Sequence, residues 1–159
     1  MGVIAPSSKI PSAKFVNPPN LGAVKANTTF EILMAISNLD AGHFTNADLN
    51  YYSAPQQLNA DNVIIGHTHA VIQKLPSIDT TEPLDPAIFA FFIGINSPAD
   101  AQGNVAANVT GGLPEGVYRI SSIHTSANHV PVLVAVAQHG GIDDSAYVGV
   151  SPSWPNLSD

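Results

Sequence analysis

The sequence predicts an all-β fold, an antiparallel β-sandwich, and three observations carry that prediction. Short runs rich in Val, Ile, Tyr and Phe recur along the chain and are bounded by Gly, Pro, Asn and Asp. No segment shows the apolar spacing of a strong amphipathic helix. Charged residues make up only 11% of the 159 residues, whereas 45% are hydrophobic, so the polar surface must come from Ser, Thr, Asn, Gln and backbone groups. A partly closed β-barrel is the alternative architecture.

Residues 1–26 read as an extended N-terminal arm. Pro6, Pro11, Pro18 and Pro19 disfavour helix and central strand there. The β-sandwich domain is expected over 27–151, with an irregular tail over 152–159. Its first strand is placed at 28–36, where Phe30, Ile32, Met34 and Ile36 alternate with other residues. A polar loop over 38–50 and an extended or short-strand segment over 51–58 follow. The clearest strand is 63–73, β-branched and entered through the turn Asn59-Ala60-Asp61-Asn62. After a Pro-containing loop, the apolar run 88–95 suggests a buried central strand. Residues 104–109, 117–123, 130–138 and 146–150 complete a set of about seven main strands separated by turns. The glycines of 111–116 mark a tight connection.

Charge and composition narrow the function classes. Twelve acidic residues face five basic ones, a net charge of -7, and the basic residues are not clustered. Binding to nucleic acid or to an anionic membrane surface is therefore not expected. No apolar run is long enough for a membrane-spanning helix. Cysteine is absent, so disulfides, thiolate metal sites and a cysteine nucleophile are excluded. The composition nevertheless suits an extracellular protein. Asn27, Asn108 and Asn156 begin Asn-x-Ser/Thr sequons and are candidate glycosylation sites. Residues 1–14 lack the pattern of a secretory leader, so a secreted protein would be represented here in its mature form.

His67-Thr68-His69 is the sharpest chemical feature. On a strand, residues two apart project from the same side, so both imidazoles can converge on one metal ion. Zinc and copper are the metals that neutral imidazoles suit best. A third ligand is sought among His124, His129 and His139, with His129 and His139 as the leading candidates and His43 the weakest of the six histidines. Asp143 and Asp144 follow His139 closely and read first as a solvated turn. No Gly-x-Ser-x-Gly nucleophile elbow and no phosphate-cradling loop are present, so no catalytic residue is assigned. Tyr51, Tyr52 and Trp154 could stack on sugars if exposed.

Several long segments carry a resemblance. Phe15-Val16-Asn17-Pro18-Pro19-Asn20-Leu21-Gly22, Tyr51-Tyr52-Ser53-Ala54-Pro55-Gln56-Gln57-Leu58, Ile64-Ile65-Gly66-His67-Thr68-His69-Ala70-Val71-Ile72-Gln73 and the run from Asn128 through Gln138-His139-Gly140 are among them. Together they resemble a group of uncharacterised secreted fungal proteins, some of which carry a ribosomal-protein label. That resemblance implies secretion and an extracellular setting, and no particular activity. Gly66-His67-Thr68-His69, Leu113-Pro114-Glu115-Gly116 and His129-Val130-Pro131 also resemble parts of bacterial domains with a Gly-His-x-His strand, a following Leu-Pro-x-Gly strand and a later His-x-Pro. This second resemblance implies an immunoglobulin-like sandwich in which His67, His69 and His129 lie close together.

The reading as a whole is a non-enzymatic, secreted binding or structural protein of the cell wall or surface, with wall polysaccharide or a second copy of itself as partner. The alternative is a metal-binding protein, sequestering or catalytic, centred on the His-x-His pair. A hydrolase with an unconventional site ranks last.

Overall fold

Alternating apolar residues in the β-branched runs favour pleated chain, and burying one face of each sheet against the other forms the core. The computed structural model describes residues 1–153. Nine strands run in the order β1 (Ser12–Asn17), β2 (Gly22–Lys25), β3 (Phe30–Ser37), β4 (Leu39–Asp40), β5 (Ile64–Leu75), β6 (Phe91–Ile95), β7 (Asn104–Val109), β8 (Gly116–Ser126) and β9 (Ser145–Ser151). A short helix, α1 (Ala47–Asn50), is capped by the Asn46 side chain, which accepts from the amides of Asp48 and Leu49.

One sheet has the order β1-β3-β7. The other has the order β2-β9-β8-β5, with β6 and the short β4 along β5. Phe15, Ile32, Met34, Val105 and Val109 of the first sheet pack against Ala70, Ile72, Tyr118, Ile120, Val148 and Val150 of the second. Several of these are wholly buried, Ile32, Met34, Ile72 and Ile120 among them. Truncating such a side chain to Ala costs about 2–5 kcal/mol.

The topology is that of an immunoglobulin-like sandwich. Its corner between β7 and β8 carries a further mark of that fold. The phenol of Tyr118, near the start of β8, donates a hydrogen bond of 2.9 Å to the carbonyl of Pro114, four residues upstream. Tyr118 is 1% exposed, so this bond gives its hydroxyl a partner inside the domain.

The structure corrects several expectations. The arm of residues 1–26 is not merely extended: β1 joins one sheet and β2 the other, beside β3 and β9. Proline is tolerated because Pro11 and Pro18 flank β1 rather than interrupt it. The pairing is not wholly antiparallel, since β2 runs parallel to β9 and β4 parallel to β5. The run 88–95 is not a buried central strand. Only Phe91–Ile95 is strand, it pairs with β5 alone, and Ile88, Phe89 and Phe92 are exposed. Residues 130–138 form a loop with isolated bridges at Pro131 and Val134: the segment doubles back only briefly on the end of β8, where Pro131 pairs with Thr125, and then leaves the sheet for Ala5. Residues 51–58 are a turn followed by two bridges, at Gln56 and Leu58. Most of the tail over 152–159 lies outside the described residues, as do Trp154 and the sequon at Asn156.

Candidate metal centre

The pleat of β5 divides its side chains between two faces. Thr68, Ala70 and Ile72 point toward the sandwich core, so His67, His69, Val71 and Gln73 stand on the outer face of the larger sheet. Three loops close over the start of that face. The segment after β4 brings His43, Phe44 and Thr45; the turn after α1 brings Tyr51; and the loop after β8 brings His129. His129 has a positive φ of 70°, one of six non-glycine residues in that region.

Several bonds fix the loop that carries His129. The carbonyl of Ser126 accepts from the His129 amide, and the Asn128 side chain accepts from the Val130 amide at 3.1 Å. Gln56, 2% exposed, donates to the carbonyls of Val3 and Leu133 and accepts from the Leu133 amide. Its side chain thereby ties the N-terminal segment to the loop beyond His129. Ala5, Leu39, Ile64 and Val132 form a small apolar cluster among these same segments.

The ligand nitrogens of His67, His69 and His129 all lie within 4.8 Å of one another. Nε2 of His67 is 3.1 Å from Nε2 of His69. For comparison, two nitrogens bound to a tetrahedral zinc stand about 3.3 Å apart when each Zn–N distance is about 2.0–2.1 Å. The proton positions follow from the acceptors. His67 Nδ1 lies 3.1 Å from the His43 carbonyl, and His129 Nε2 lies 3.1 Å from the Thr45 carbonyl. A carbonyl only accepts, so both of these nitrogens carry hydrogen. The lone pairs are left on His67 Nε2 and His129 Nδ1. Backbone carbonyls thus orient two imidazoles in the way that outer partners orient metal-bound histidines.

Burial favours the neutral form of His67 and of His69. His67 is fully buried, and desolvation lowers its pKa despite the bond to His43. Desolvation, then the nearness of His67 and His129, pushes His69 down to about 4. Aromatic rings crowd the centre. Tyr51 stacks on His129 with ring centroids 4.8 Å apart, Phe92 lies 5.2 Å from His69, and Phe44 meets His67 edge-on at 6.2 Å. Gly94 is the β6 residue opposite His69, and a Cβ there would sit 3.3 Å from the imidazole. Glycine at that position leaves the ring its space.

The other candidates fall elsewhere. His139 is exposed in the loop between β8 and β9, its Nδ1 2.6 Å from the Gly140 carbonyl, and is not part of the three-histidine group. His124 faces the inner side and meets the Thr68 hydroxyl at 2.9 Å. The side chain of His43 lies 3.3 Å from Asp40. Its contribution to the centre is its backbone carbonyl, which the choice of side chain does not reveal. Asp143 accepts from the His124 amide and the Ser122 hydroxyl, and Asp144 from the Phe15 amide and Lys14. Both are structural braces rather than a free solvated turn. Asn27 and Asn108 are exposed.

The family model described as the CLU5d N-terminal domain matches residues 13–151. The chain belongs to this family. It is 45% identical over 145 residues to Pathogenicity cluster 5 protein d of the fungus Colletotrichum graminicola. That match covers 91% of this chain and 30% of the relative, so the chain spans less than a third of that protein's length. Among solved structures, the fibronectin(III)-like modules of Clostridium thermocellum CbhA align over 94% of this chain and 50% of theirs, at 12% identity and a TM-score of 0.42.

Proposed function

We propose that this CLU5d N-terminal domain is a secreted, non-enzymatic binding module that holds a zinc or copper ion on His67, His69 and His129. The observation that carries the metal reading is the convergence of three imidazoles within 4.8 Å, two of them oriented by main-chain carbonyls. Low charge and the exposed sequon asparagines Asn27 and Asn108 support the extracellular setting. A pathogenicity-cluster relative supports a role in the contact between a fungus and its host.

The test is metal analysis of untagged protein after dialysis against zinc or copper(II), with competition by a chromogenic chelator. One ion per chain is expected, falling to background in a His67→Ala/His69→Ala variant. Substoichiometric metal that the double substitution leaves unchanged would overturn the reading.

A second reading concerns the surface partner. Tyr51 and Tyr52 are 49% and 60% exposed, with ring centroids 4.2 Å apart, and they stand at the rim of the histidine centre. Exposed aromatic faces support stacking on a wall polysaccharide. Pull-down with insoluble chitin and β-glucan tests this; retention that Tyr51→Ala/Tyr52→Ala leaves unchanged, or no retention at all, would count against it.

A further inference from the structure

The outer face of the larger sheet continues past the histidines into a second site. Beyond Phe92, a cleft of about 320 Å³ is walled by Val71, Phe89, Phe92 and Ile123, with Gln73 and Arg119 contributing its polar groups. Arg119 is the single arginine of the chain. It pairs across the sheet with Gln73, and its Nη2 donates to Gln73 Oε1 at 2.6 Å. The Gln73 amide is anchored in turn, because its Nε2 donates to the carbonyls of Asp85 and Ile88, both at 3.1 Å. These bonds hold the 85–89 segment, with Phe89, against the sheet as one wall of the cleft.

The charge of Arg119 is left without a counter-ion. Among the described residues no carboxylate lies within 4.0 Å of the guanidinium, and its Nε is buried with no hydrogen-bond partner. Arg119 is half-buried, and its polar neighbour is a neutral amide that positions the guanidinium without neutralising it. The chain carries a net charge of -7, so acids for such a pair are plentiful, yet none is placed here.

We propose that this cleft binds a small organic anion, a carboxylate carried on an apolar or aromatic body. The carboxylate pairs with Arg119, and the body lies between Phe89, Phe92 and Ile123. A partly desolvated guanidinium pairs with a carboxylate more strongly than one in open water, and the aromatic walls favour a flat apolar group. The site is independent of the metal reading, and its test uses metal-free protein.

The probes are 3-phenylpropionate and its uncharged analogue 3-phenylpropionamide, titrated into EDTA-treated protein and followed by amide chemical shifts. The acid is expected to bind roughly tenfold or more tightly than the amide, as a charge-assisted hydrogen bond implies. Shifts should centre on Arg119, Ile123 and Phe89, and the preference should vanish in Arg119→Met. Phe89→Ser changes an exposed wall residue and should weaken both probes without unfolding the domain. Equal affinity for acid and amide, shifts centred elsewhere, or no saturable binding of either probe at millimolar concentration would overturn the proposal, and the first of these needs no variant.

Discussion

The carbonyl of His43 lies 3.1 Å from Nδ1 of His67, and this contact fixes which nitrogen of a fully buried ring is free to bind. Because the acceptor belongs to the main chain, the side chain of His43 is dispensable for orientation. His43→Ala should therefore leave zinc affinity within about twofold of the parent, whereas loss of an outer partner by itself ordinarily costs about 10–100-fold. His67→Ala should cost more than that range. Competition against a chromogenic chelator measures both, and an equal loss in the two variants would contradict the assignment.

Gly94→Ala separates the site from the fold. The added methyl would stand 3.3 Å from the His69 ring and nowhere near the core. Alanine should leave the urea midpoint close to that of the parent while weakening metal binding severalfold, because the His69 ring must yield by a few tenths of an ångström at a centre that needs its nitrogen in place. Unchanged metal affinity would show that the ring tolerates the contact.

His124 predicts how stability responds to acid. Desolvation holds its pKa below the ordinary 6.5, outweighing the opposite pull of Asp143. On acidification the unfolded chain takes up a proton near pH 6.5 while the folded chain does not. The stabilisation is therefore complete above that pH and is lost as pH falls from there toward the folded-state pKa. His67 and His69 act in the same direction. Each such group contributes a slope of at most about 1.4 kcal/mol per pH unit. Urea titrations of metal-free protein between neutral pH and the lower edge of this window should show the decline, and His124→Leu should make it shallower. An unaltered slope in that variant would remove His124 from the titrating set.

Tyr118→Phe tests the corner. It deletes the bond to Pro114 and leaves that carbonyl without its partner, at a cost of about 1–2 kcal/mol with little change in the denaturant slope. Chemical denaturation reads this directly. No measurable loss would mean that water replaces the phenol.

What could be read from the chain depended on whether the signal was local. The alternation around His67 and His69 is a property of neighbouring residues, so their shared face was visible before any contact was known. Spacing leaves the third histidine open between His129 and His139, which sit at opposite ends of one apolar segment; the resemblance to bacterial domains points to His129, and the closure of that loop over β5 brings His129, and not His139, beside the pair. The same segment reads as a strand because Val130, Val132 and Val134 alternate well, yet its ladder is reduced to two isolated bridges, Pro131 with Thr125 and Val134 with Ala5, while Val132 enters a small apolar cluster. Ile88 and Phe89 look like core by composition but line an outer cleft. Arg119 and Gln73 carry no sequence signature, since their pairing depends on the register between β5 and β8. Tyr118 stands four residues after Pro114, but a lone tyrosine in an alternating strand is indistinguishable from ordinary core packing until the bond to the Pro114 carbonyl is seen.

The two carbonyls that orient the rings have a chemical corollary. Zinc sites that use aspartate or cysteine spread negative charge onto the ion, whereas three uncharged imidazoles leave a dication with its full formal charge. An ion seated here would be strongly electrophilic and would draw hydroxide, chloride or a ligand's own oxygen into its remaining coordination position. On the proposed metal reading, the centre would capture an anionic group from outside the domain, with the ion as the point of attachment.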